Sequence, residues 1–551
     1  MFENIQRLPD VVMIEEKQAA GQDGLYALED VSVQVCPEAD CLQVYLTAKT
    51  TPVRKIRLRW HAEKRIRGQV LGDAWERAYA DLGWQHITPY QTQPWYCLVN
   101  QGEDTAGYGV RVRPSAICSW QVDPEGITLW LDVRCGGEGV ELGGRCLHAA
   151  DVICREYTGM RAFEVACRFC RAMCSDPLLP GQPVYGSNNW YYAYGHSSRK
   201  DVLEDAAYLA RLTEGVENRP FFVIDDCWQR DRYHADGTYE EVYNGGPWIP
   251  NPRFGNMESL AGEIAKTGVR PGIWVRLLQD NNAEIPDAWR LPHTGGLDPS
   301  IPEVLDHVTG IVERIGQWGF KLLKHDFSTF DIMNHWGCEM LYEMADDGWH
   351  FADRSRTSAE IIVSLYTAIL RAAEKYDMLI LGCNTVGHLG AGLMHMHRTG
   401  DDTSGLMWER TLRFGVNTLA FRMPQHHAFY DVDADCIGIS GKIDWSYNRQ
   451  WGDLLSRSGT SLFYSVKPDT MPPEAEAELS RMLHANAVPH TPAEPLDWQD
   501  TSLPQEWVVD GEKKEFSWYE PWGLRVACAT GPVWEKVWRE VSKDLSSSAE
   551  K

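Results

Sequence analysis

The stretch that decides the fold is residues 321–327, which read KLLKHDF. A short apolar run of this kind, bounded by turn signals, is typical of a buried strand in a parallel sheet. Side chains on a strand alternate between its two faces, so Lys324 and Asp326 project from the same face. Ionised groups at the end of a buried strand are costly unless they are paired or used. The run therefore predicts a buried strand with a candidate site at its carboxyl end.

Seven further runs of this kind occupy the middle of the chain. The eight predicted strands, numbered in chain order, are Val184–Tyr192, Phe221–Asp226, Arg270–Leu277, Phe320–Asp326, Met378–Cys383, Met394–Gly400, Val416–Phe421 and Ser461–Val466. Amphipathic helical stretches such as Val202–Leu212 and Val304–Ile315 lie between them. Eight strands alternating with helices over roughly 290 residues are typical of a (β/α)₈ TIM barrel. A doubly wound sheet is the main alternative, but no Gly-rich phosphate fingerprint follows strand 1.

The segments on either side of the barrel have a β pattern, because short strand-like runs there are separated by turn residues. Before the barrel these runs are Val31–Cys36, Cys41–Thr47, Lys55–Trp60, Tyr108–Val112 and Ile127–Val133. After it they are Glu506–Val509, Glu515–Tyr519 and Leu524–Ala529. We therefore predict an α/β protein with a central barrel over residues 181–487. An N-terminal β-sandwich domain with a linker would span 1–180, and a small C-terminal β-domain would span 488–551.

Composition excludes two classes of partner. The chain has 53 basic and 78 acidic residues, a net charge of −25, which repels phosphate backbones and anionic lipids. Nucleic acid and membranes are therefore not expected partners. The sequence contains no run of about 18 uncharged apolar residues, which is the length that a membrane helix needs. Met1–Asp10 has no apolar run typical of a signal peptide, so the cytoplasm is the expected location. The sequence leaves a homo-oligomer open.

Two clusters of metal-ligating residue types are interpreted as structural. Cys167, Cys170 and Cys174 fall within or beside a helical stretch, where positions three and seven apart share one face, so we predict core packing. His426 and His427 are adjacent, and adjacent side chains on an extended strand point apart. We therefore expect neither a metal ion nor another cofactor.

Charged residues also end other predicted strands. Asp225 and Asp226 close strand 2, Arg276 follows Trp274 in strand 3, and strand 6 ends in Arg398-Thr399-Gly400-Asp401-Asp402. In characterised TIM barrels the active site lies at these carboxyl ends. Two carboxylates facing one another across a sugar are the usual equipment for cleaving a glycosidic bond. For a single strand-end aspartate, a helix N-cap is the alternative interpretation.

Tryptophans accompany these endings. Trp190, Trp228 and Trp274 follow or lie within strands 1, 2 and 3. Each could pack in the core or rim, or could stack against a sugar ring. Arg398 and Asp402, four residues apart, are predicted to share a face of strand 6. The ammonium of Lys324 would lower the pKa of Asp326 and keep it ionised, as a nucleophile requires.

Taken in order, these motifs resemble glycoside hydrolase family 36, in the clan of α-galactosidases and α-N-acetylgalactosaminidases. The similar stretches are GDAWERAYADLGW (72–84) to the family's GDxWERxYGDLxW, SNNWYYAY (187–194) to its first barrel strand, DDCW (225–228) to DDGW, KHDF (324–327) to KxDF, RTGDD (398–402) to RxGxD, DADC (433–436) to DPDC and SGTSLF (458–463) to SGTSLF. The resemblance spans most of the chain, and it is closest to the shorter members of the family.

The resemblance implies a role for each matching residue. Asp326 would be the nucleophile and Asp402 the acid/base of a retaining exo-α-glycosidase that needs no cofactor. Asp225 and Asp226 would accept hydrogen bonds from the hydroxyls at C4 and C6. Trp274, Lys324 and Arg398 would contact the glycone, and the substrate would be an oligosaccharide or glycoside with terminal α-linked galactose or a related sugar.

Three departures from the family pattern bear on the substrate. Cys227 replaces the glycine of DDGW, Asp401 places a second carboxyl beside the proposed acid, and Arg276 follows Trp274 by two residues. An arginine there could recognise an acidic or bulky group, or it could pair with Asp225, Asp226 or another barrel carboxylate. Two other activities stay open, namely an α-galactosyl transferase like the raffinose synthases and a non-catalytic carbohydrate-binding barrel.

Overall fold

The computed structural model describes residues 5–79, 82–230 and 244–524. Within them eight parallel strands form a closed barrel in chain order, and strand 8 pairs with strand 1. All eight are buried, as expected for a barrel with a packed interior and an outer ring of helices. The TIM barrel prediction is confirmed. Barrel strands 1 to 8 are Tyr185–Asn188, Phe221–Ile224, Arg270–Val275, Leu322–His325, Leu379–Gly382, Met396–Arg398, Asp431–Gly438 and Ser461–Ser465.

The prediction of strand 7 is wrong. Val416–Phe421 belongs to a π-helix over Leu412–Asn417 and an α-helix over Thr418–Arg422. Nearly every residue of that stretch is buried. Its apolar residues therefore show no periodicity by which the sequence could distinguish a helix from a strand. The true strand, Asp431–Gly438, reads DVDADCIG, and its three aspartates made it resemble a loop.

The barrel helices bury one apolar stripe each against the strands. In the helix Pro302–Gln317 that stripe is Val304, Val308, Ile311 and Ile315, spaced at the helical repeat as the sequence predicts. The α-helices of the described residues are Ala162–Met173, Trp190–Ala193, Arg199–Leu212, Met257–Lys266, Pro302–Gln317, Ser328–Met333, Ser358–Glu374, Gly387–Gly390, Trp408–Thr411, Thr418–Arg422, Trp445–Arg457 and Pro473–Asn486. Short 3₁₀ turns cover Asp287–Trp289, Gly337–Glu339 and Met423–Gln425.

Two antiparallel sheets precede the barrel and confirm the N-terminal β-sandwich. Buried residues alternate with partly exposed ones along strands such as Leu42–Ala48, as in sheets with one buried face. The six-stranded sheet has the order Gln93–Pro94, Ile117–Asp123, Gly126–Asp132, Lys55–His61, Val11–Ile14 and Lys17–Gln18. The nine-stranded sheet has the order Ala20–Gln22, Leu25–Leu28, Val31–Pro37, Leu42–Ala48, Cys146–Thr158, Asp104–Val110, Tyr96–Gln101, Gln69–Gly72 and Gln85–His86.

The cysteine cluster lies where the sandwich meets the barrel. Cys167 and Cys170 are on the helix Ala162–Met173, and Cys174 is its C-cap. Cys170 and Cys174 belong to the hydrophobic core, so the predicted core packing is confirmed for these two. Cys167 is only partly buried. Burial raises the pKa of the Cys167 thiol to about 12, so it stays protonated and apolar in character.

A small three-stranded sheet follows the barrel and confirms the C-terminal β-domain. Its strands are Glu494–Pro495, Glu506–Val509 and Glu512–Glu515. The last observed strand ends at Glu515, which is the residue where the predicted strand Glu515–Tyr519 was expected to begin. Of the predicted run Leu524–Ala529, all but Leu524 lies outside the described residues. No helix in the described ranges is long and apolar enough to cross a membrane.

One segment of the sandwich reaches the barrel mouth. We call residues 73–79, which follow the strand Gln69–Gly72, the arm. Ala78 pairs with Gly400 in a parallel bridge, with its N–H donating to the Thr399 carbonyl at 2.9 Å and its carbonyl accepting from the Asp401 N–H at 3.2 Å. The arm thus continues the barrel's hydrogen bonding beyond the end of strand 6 and places its own side chains beside Asp401 and Asp402.

Candidate active site

The carboxyl ends of barrel strands 2 and 4 bring opposite charges together. The Nζ of Lys324 lies 2.7 Å from Oδ2 of Asp225, and both side chains are buried. His325, the next residue on strand 4, faces the other way and packs edge-on against Tyr366 of the surrounding helix Ser358–Glu374. Burial lowers the pKa of His325 to about 4, so it stays neutral. The alternation predicted for strand 4 therefore separates a charged inner face from an apolar outer one.

Asp326 is the first residue after strand 4 and is 7% exposed. Its Oδ2 accepts a hydrogen bond from Nε1 of Trp274 at 3.0 Å, and its Oδ1 accepts from the backbone N–H groups of Phe327 at 2.8 Å and Asn384 at 3.0 Å. The following helix begins at Ser328 with Phe327 at its N-cap position, so Asp326 is not a helix cap. Three fixed donors orient the carboxylate.

The charges around Asp326 keep it ionised. Burial acts to raise its pKa, because a charged carboxylate is poorly solvated inside the barrel mouth. The positive charges of Arg77 and Lys324, together with the Trp274 N–H, outweigh burial and hold the pKa of Asp326 at about 2. An ionised, oriented carboxylate is what a nucleophile requires.

Asp402 has the opposite electrostatic character. Its side chain is 31% exposed, and its Oδ1 lies 3.3 Å from Nη1 of Arg398 and 3.8 Å from Nη1 of Arg77. Burial and the negative charge of Asp401 raise its pKa above the ordinary value, although the two arginines oppose that rise. Asp402 contacts Arg398, as predicted. Strand 6 ends at Arg398, however, so the contact is made by the turn that follows the strand and not by two residues on one strand face.

Asp401, the neighbouring carboxyl, is held differently. Its Oδ1 lies 3.0 Å from Nη2 of Arg77, and its Oδ2 lies 3.0 Å from Nη2 of Arg410. The residue is 9% exposed. Both oxygens are therefore engaged by guanidinium groups, whereas only one oxygen of Asp402 is engaged within the described structure.

Arg398 is the central cation of the site. Its Nη2 lies 2.8 Å from Oδ1 of Asp435, its Nε lies 3.3 Å from Oδ2 of Asp433, and its Nη1 reaches Asp402. Asp433 and Asp435 belong to barrel strand 7, where a register irregularity between Asp433 and Cys436 displaces the backbone. Such bulges commonly re-aim side chains near active sites. Sequence reasoning missed both aspartates as site residues, although the DADC motif contained them.

The arm supplies a second arginine that the sequence did not assign. Arg77 is 5% exposed, contacts Asp401 and Asp402, and donates to Sγ of Cys383 at 3.6 Å. Beside it, the buried Glu76 accepts from the Gly337 N–H at 3.0 Å and from Asn384. The motif GDAWERAYADLGW could have identified Glu76 and Arg77 as site residues, because two adjacent charges in an apolar stretch are costly unless they are paired or used.

Asp226 is fixed by a sharp backbone turn. Its Oδ1 accepts from the Cys227 N–H at 2.6 Å and from Nε2 of Gln229 at 2.7 Å. Cys227 has φ = 77°, a left-handed conformation that favours glycine, and its side chain is fully buried. Phe327 repeats the device with φ = 63° and an N–H that donates to Asp326. The turn after each carboxylate folds the next N–H back onto it.

Comparison with known proteins identifies the architecture. No protein-family model and no curated protein matches the sequence. The α-galactosidase of Thermus thermophilus, in complex with p-nitrophenyl α-D-galactopyranoside, has a TM-score of 0.58 at 16% identity and covers 88% of this chain and 96% of that chain. The family 36 α-galactosidase AgaA of Geobacillus stearothermophilus has a TM-score of 0.55 at 14% identity over 83% of this chain and 67% of that chain. This chain has the fold of the family 36 α-galactosidases.

At these identities the likeness is one of fold, and at that level it confirms the resemblance in the sequence. A third structure, the α-galactosidase of Lactobacillus brevis, agrees with a TM-score of 0.55 at 13% identity over 88% of this chain and 69% of that chain.

In this family 36 fold the three candidate tryptophans have different surroundings. Trp274 is 2% exposed and donates to Asp326, so it is part of the site. Trp228 is fully buried and donates through Nε1 to the Trp274 carbonyl at 2.8 Å, which makes it a support for Trp274. Trp190 is partly exposed and packs edge-on against Tyr194, with ring centroids 5.6 Å apart. Of the three, Trp190 keeps a surface that a sugar could reach.

Arg276 is committed to protein partners. Strand 3 ends at Val275, and the guanidinium forms a two-pronged ion pair with Asp331, with Nη2 to Oδ1 at 2.5 Å and Nε to Oδ2 at 3.1 Å. It also donates to Asn244 and lies over the Phe327 ring at 4.3 Å. A substrate carboxylate would have to displace Asp331, so the interpretation of Arg276 as a partner of a barrel carboxylate is the one the geometry favours.

His426, His427 and Asp431 are the described residues that come closest to a metal-binding group. His426 and His427 precede strand 7, and Asp431 is its first residue. Because the two histidines do not lie on an extended strand, the reason given above for expecting them to point apart is wrong. The two rings stack with centroids 3.8 Å apart. One possible ligand atom of each residue lies within 4.8 Å of the others. Nδ1 of His426 is already engaged, since it accepts from the Val432 N–H at 3.3 Å.

Replacing Arg276 by methionine should destabilise the protein, because Asp331 would be left buried without its cation. Removing one partner of a buried pair costs about 3–5 kcal/mol, measurable as a lower denaturant midpoint. The double variant Arg276→Met/Asp331→Leu removes both charges and should recover most of that loss. Unchanged stability in the single variant would show that Asp331 does not depend on Arg276.

Proposed function

We propose that this protein is a retaining exo-acting α-glycosidase that removes terminal α-linked galactose or a closely related sugar. The observation that carries the proposal is the placement of two carboxyls at one barrel mouth. Asp326 is fixed by three N–H donors, and the partly exposed Asp402 lies beside Arg398 and Arg77. These surroundings lower the pKa of Asp326 to about 2 and raise the pKa of Asp402. Glycosidic cleavage needs one carboxyl that is ionised and one that can donate a proton, and the opposite directions of these two pKa shifts favour that division.

The reaction would proceed in two displacements. Asp326 attacks the anomeric carbon while Asp402 donates its proton to the departing glycosidic oxygen, leaving a glycosyl-enzyme ester. Asp402, now ionised, then removes a proton from water as that water attacks the same carbon and releases Asp326. Arg398 and Arg77 are placed to stabilise the carboxylate form of Asp402 between the two steps.

The sugar would be held by the groups at the ends of strands 2 to 4. Asp225 and Asp226 are buried carboxylates that can accept hydrogen bonds from sugar hydroxyls, and Lys324 can donate one while it pairs with Asp225. The galactose-like glycone is inferred from the family resemblance, and the α-galactosidases that share the fold support it.

A panel of nitrophenyl α- and β-glycosides tests the proposal. The α-galactoside should be cleaved fastest, and proton NMR should detect the α anomer of the free sugar first. Asp326→Asn should reduce kcat by about four orders of magnitude or more while the protein stays folded. A fluorinated glycoside should trap an ester that peptide mapping places on Asp326. Release of the β anomer first, or an ester on another residue, would reject the mechanism.

The two neighbouring carboxyls can be distinguished by their variants. Asp402→Ala should lower kcat/KM by about 10²–10⁴-fold for substrates with poor leaving groups and spare kcat/KM for activated ones. Turnover of activated substrates should then be limited by the second displacement, which has lost its base, and azide should accelerate it. Asp401→Ala should instead lower stability, because Arg77 and Arg410 lose a shared buried partner. Azide rescue of Asp401→Ala but not of Asp402→Ala would reverse the assignment.

The pH profile should depend on Arg77. Its charge lowers the pKa of both Asp326 and Asp402. Activity needs Asp326 ionised and Asp402 protonated, so Arg77→Gln should move both limbs of the kcat/KM profile to higher pH. Arg77→Lys keeps the charge and should return the limbs toward the wild-type positions. Identical profiles for all three proteins would show that Arg77 has no electrostatic part in the reaction.

A further inference from the structure

The arm carries a buried carboxyl that the proposed reaction does not use. Glu76 is 1% exposed, and its Oε2 lies 4.0 Å from Nε of Arg77, whose guanidinium is closer to Asp401 at 3.0 Å. Burial raises the pKa of Glu76, because a charged carboxyl is poorly solvated there. A buried acidic side chain is costly unless its oxygens are satisfied, so its hydrogen-bond partners indicate what it holds in place.

Both oxygens of Glu76 accept hydrogen bonds. Oε1 accepts from the Gly337 N–H at 3.0 Å and from the Tyr79 hydroxyl at 2.5 Å. Oε2 accepts from Nδ2 of Asn384. Gly337 lies in the connection that follows barrel strand 4, and Asn384 lies two residues after strand 5. Glu76 therefore ties the sandwich to the segments that follow two neighbouring barrel strands.

Asn384 in turn holds the proposed nucleophile. Its backbone N–H donates to Oδ1 of Asp326 at 3.0 Å. Its side-chain Oδ1 accepts from the Phe330 N–H at 3.0 Å, and its carbonyl accepts from the Thr329 N–H at 3.1 Å. Phe330 and Thr329 belong to the helix Ser328–Met333, which follows Asp326. The fully buried Asn384 thus fixes both the carboxylate and the helix behind it.

The orientation of the Asn384 amide depends on Glu76. An asparagine amide has one accepting oxygen and one donating nitrogen. Because the Phe330 N–H occupies the oxygen, the nitrogen faces Glu76 and needs an acceptor there. Without that acceptor a buried donor is left unsatisfied, and turning the amide over would break its bond to Phe330 instead. A continuous path of hydrogen bonds therefore runs from Glu76 through Asn384 to Asp326.

These contacts favour an effect on the position of Asp326 over an effect on its ionisation. Against burial, the charges that lower the pKa of Asp326 are those of Arg77, Lys324 and Arg398. Glu76 reaches Asp326 through the backbone of Asn384. Misplacing a reacting group by about 1 Å can cost about 10²-fold in rate. Glu76 can therefore matter for the reaction without altering the pH at which Asp326 ionises.

We propose that Glu76 is a positioning residue for the nucleophile, acting through Asn384, so that the N-terminal sandwich takes part in the reaction of the barrel. The inference rests on the proposed function and deepens it, because it gives the arm a task at Asp326 besides the contact of Arg77 with Asp402. Every substrate would be attacked by Asp326, so the loss of Glu76 slows the first displacement whatever the leaving group.

Glu76→Gln tests the proposal with almost no change in volume, because an amide has one accepting oxygen and cannot replace two. On nitrophenyl α-galactoside, kcat/KM at the plateau of the pH profile should fall about 10–10²-fold. The inhibition constant of galactose should change less than about twofold, and the acidic limb of the profile should stay in place. Good and poor leaving groups should be affected alike, in contrast to Asp402→Ala. Wild-type kcat/KM in the folded variant overturns the inference.

A double variant exchanges donor and acceptor. Asn384→Asp alone sets two carboxyls against each other and should also lose activity. In Glu76→Gln/Asn384→Asp the introduced amide can donate to the introduced carboxylate, which can still accept from the Phe330 N–H. The double variant should recover kcat/KM to within about threefold of the wild type. If it folds and keeps the loss, the inference is overturned, even where a single variant does not fold.

Asp298→Asn is the matched structural control. Asp298 is 4% exposed, and its two oxygens accept from the Ser300 N–H at 2.8 Å and the Ala352 N–H at 2.7 Å. This variant should lower the melting temperature and leave kcat/KM unchanged. An equal loss of kcat/KM in Asp298→Asn would attribute the effect of Glu76→Gln to stability and contradict the proposal.

Crystal structures of the wild type and Glu76→Gln test the positioning without turnover. The distance from the Asn384 nitrogen to Oδ1 of Asp326 should grow from 3.0 Å to beyond the hydrogen-bond limit of about 3.5 Å. An unchanged distance overturns the inference even if the wild type cleaves α-galactosides. A displaced Asp326 in a protein that cleaves no α-glycoside would support the positioning and reject the proposed function.

Discussion

The pairing of buried cations with buried carboxylates at the barrel mouth is the interaction on which the rest of the site depends. Lys324 is paired with Asp225, and Arg398 is paired with Asp433 and Asp435 while it also reaches Asp402. So many carboxylates could not remain ionised together in a poorly solvated space without these cations. At Asp326 the charges of Arg77 and Lys324 outweigh burial and lower the pKa, whereas at Asp402 burial and the charge of Asp401 outweigh the arginines and raise it. The balance of burial and paired charge therefore gives the two carboxyls different electrostatic character.

The arm makes the sandwich part of the site. Its backbone extends the hydrogen bonding of strand 6 at Ala78, and that attachment fixes Arg77 against both Asp401 and Asp402. Two left-handed turns add rigidity, since Cys227 and Phe327 each direct an N–H onto the carboxylate before them. Such conformations cost a non-glycine residue about 1–3 kcal/mol and persist where the surroundings over-determine them. Here the compensation is visible, because each turn adds a backbone donor to a buried carboxylate.

The sequence by itself determined the barrel, because seven of its strands lie within short runs that are bounded by turn residues and alternate with amphipathic helices. It also placed Asp225, Asp226, Lys324, Asp326 and Arg398 at the barrel mouth, since the carboxyl ends of parallel strands meet there. Only the tertiary structure decided strand 7, whose aspartates become compatible with a buried strand through Arg398, far from them in sequence. It alone decided that Arg276 pairs with Asp331 and that Arg77 crosses from the sandwich to the barrel. A period of two or 3.6 residues can be recognised from neighbouring positions in the sequence. The partner of a buried charge depends instead on which distant segment of the chain packs against it.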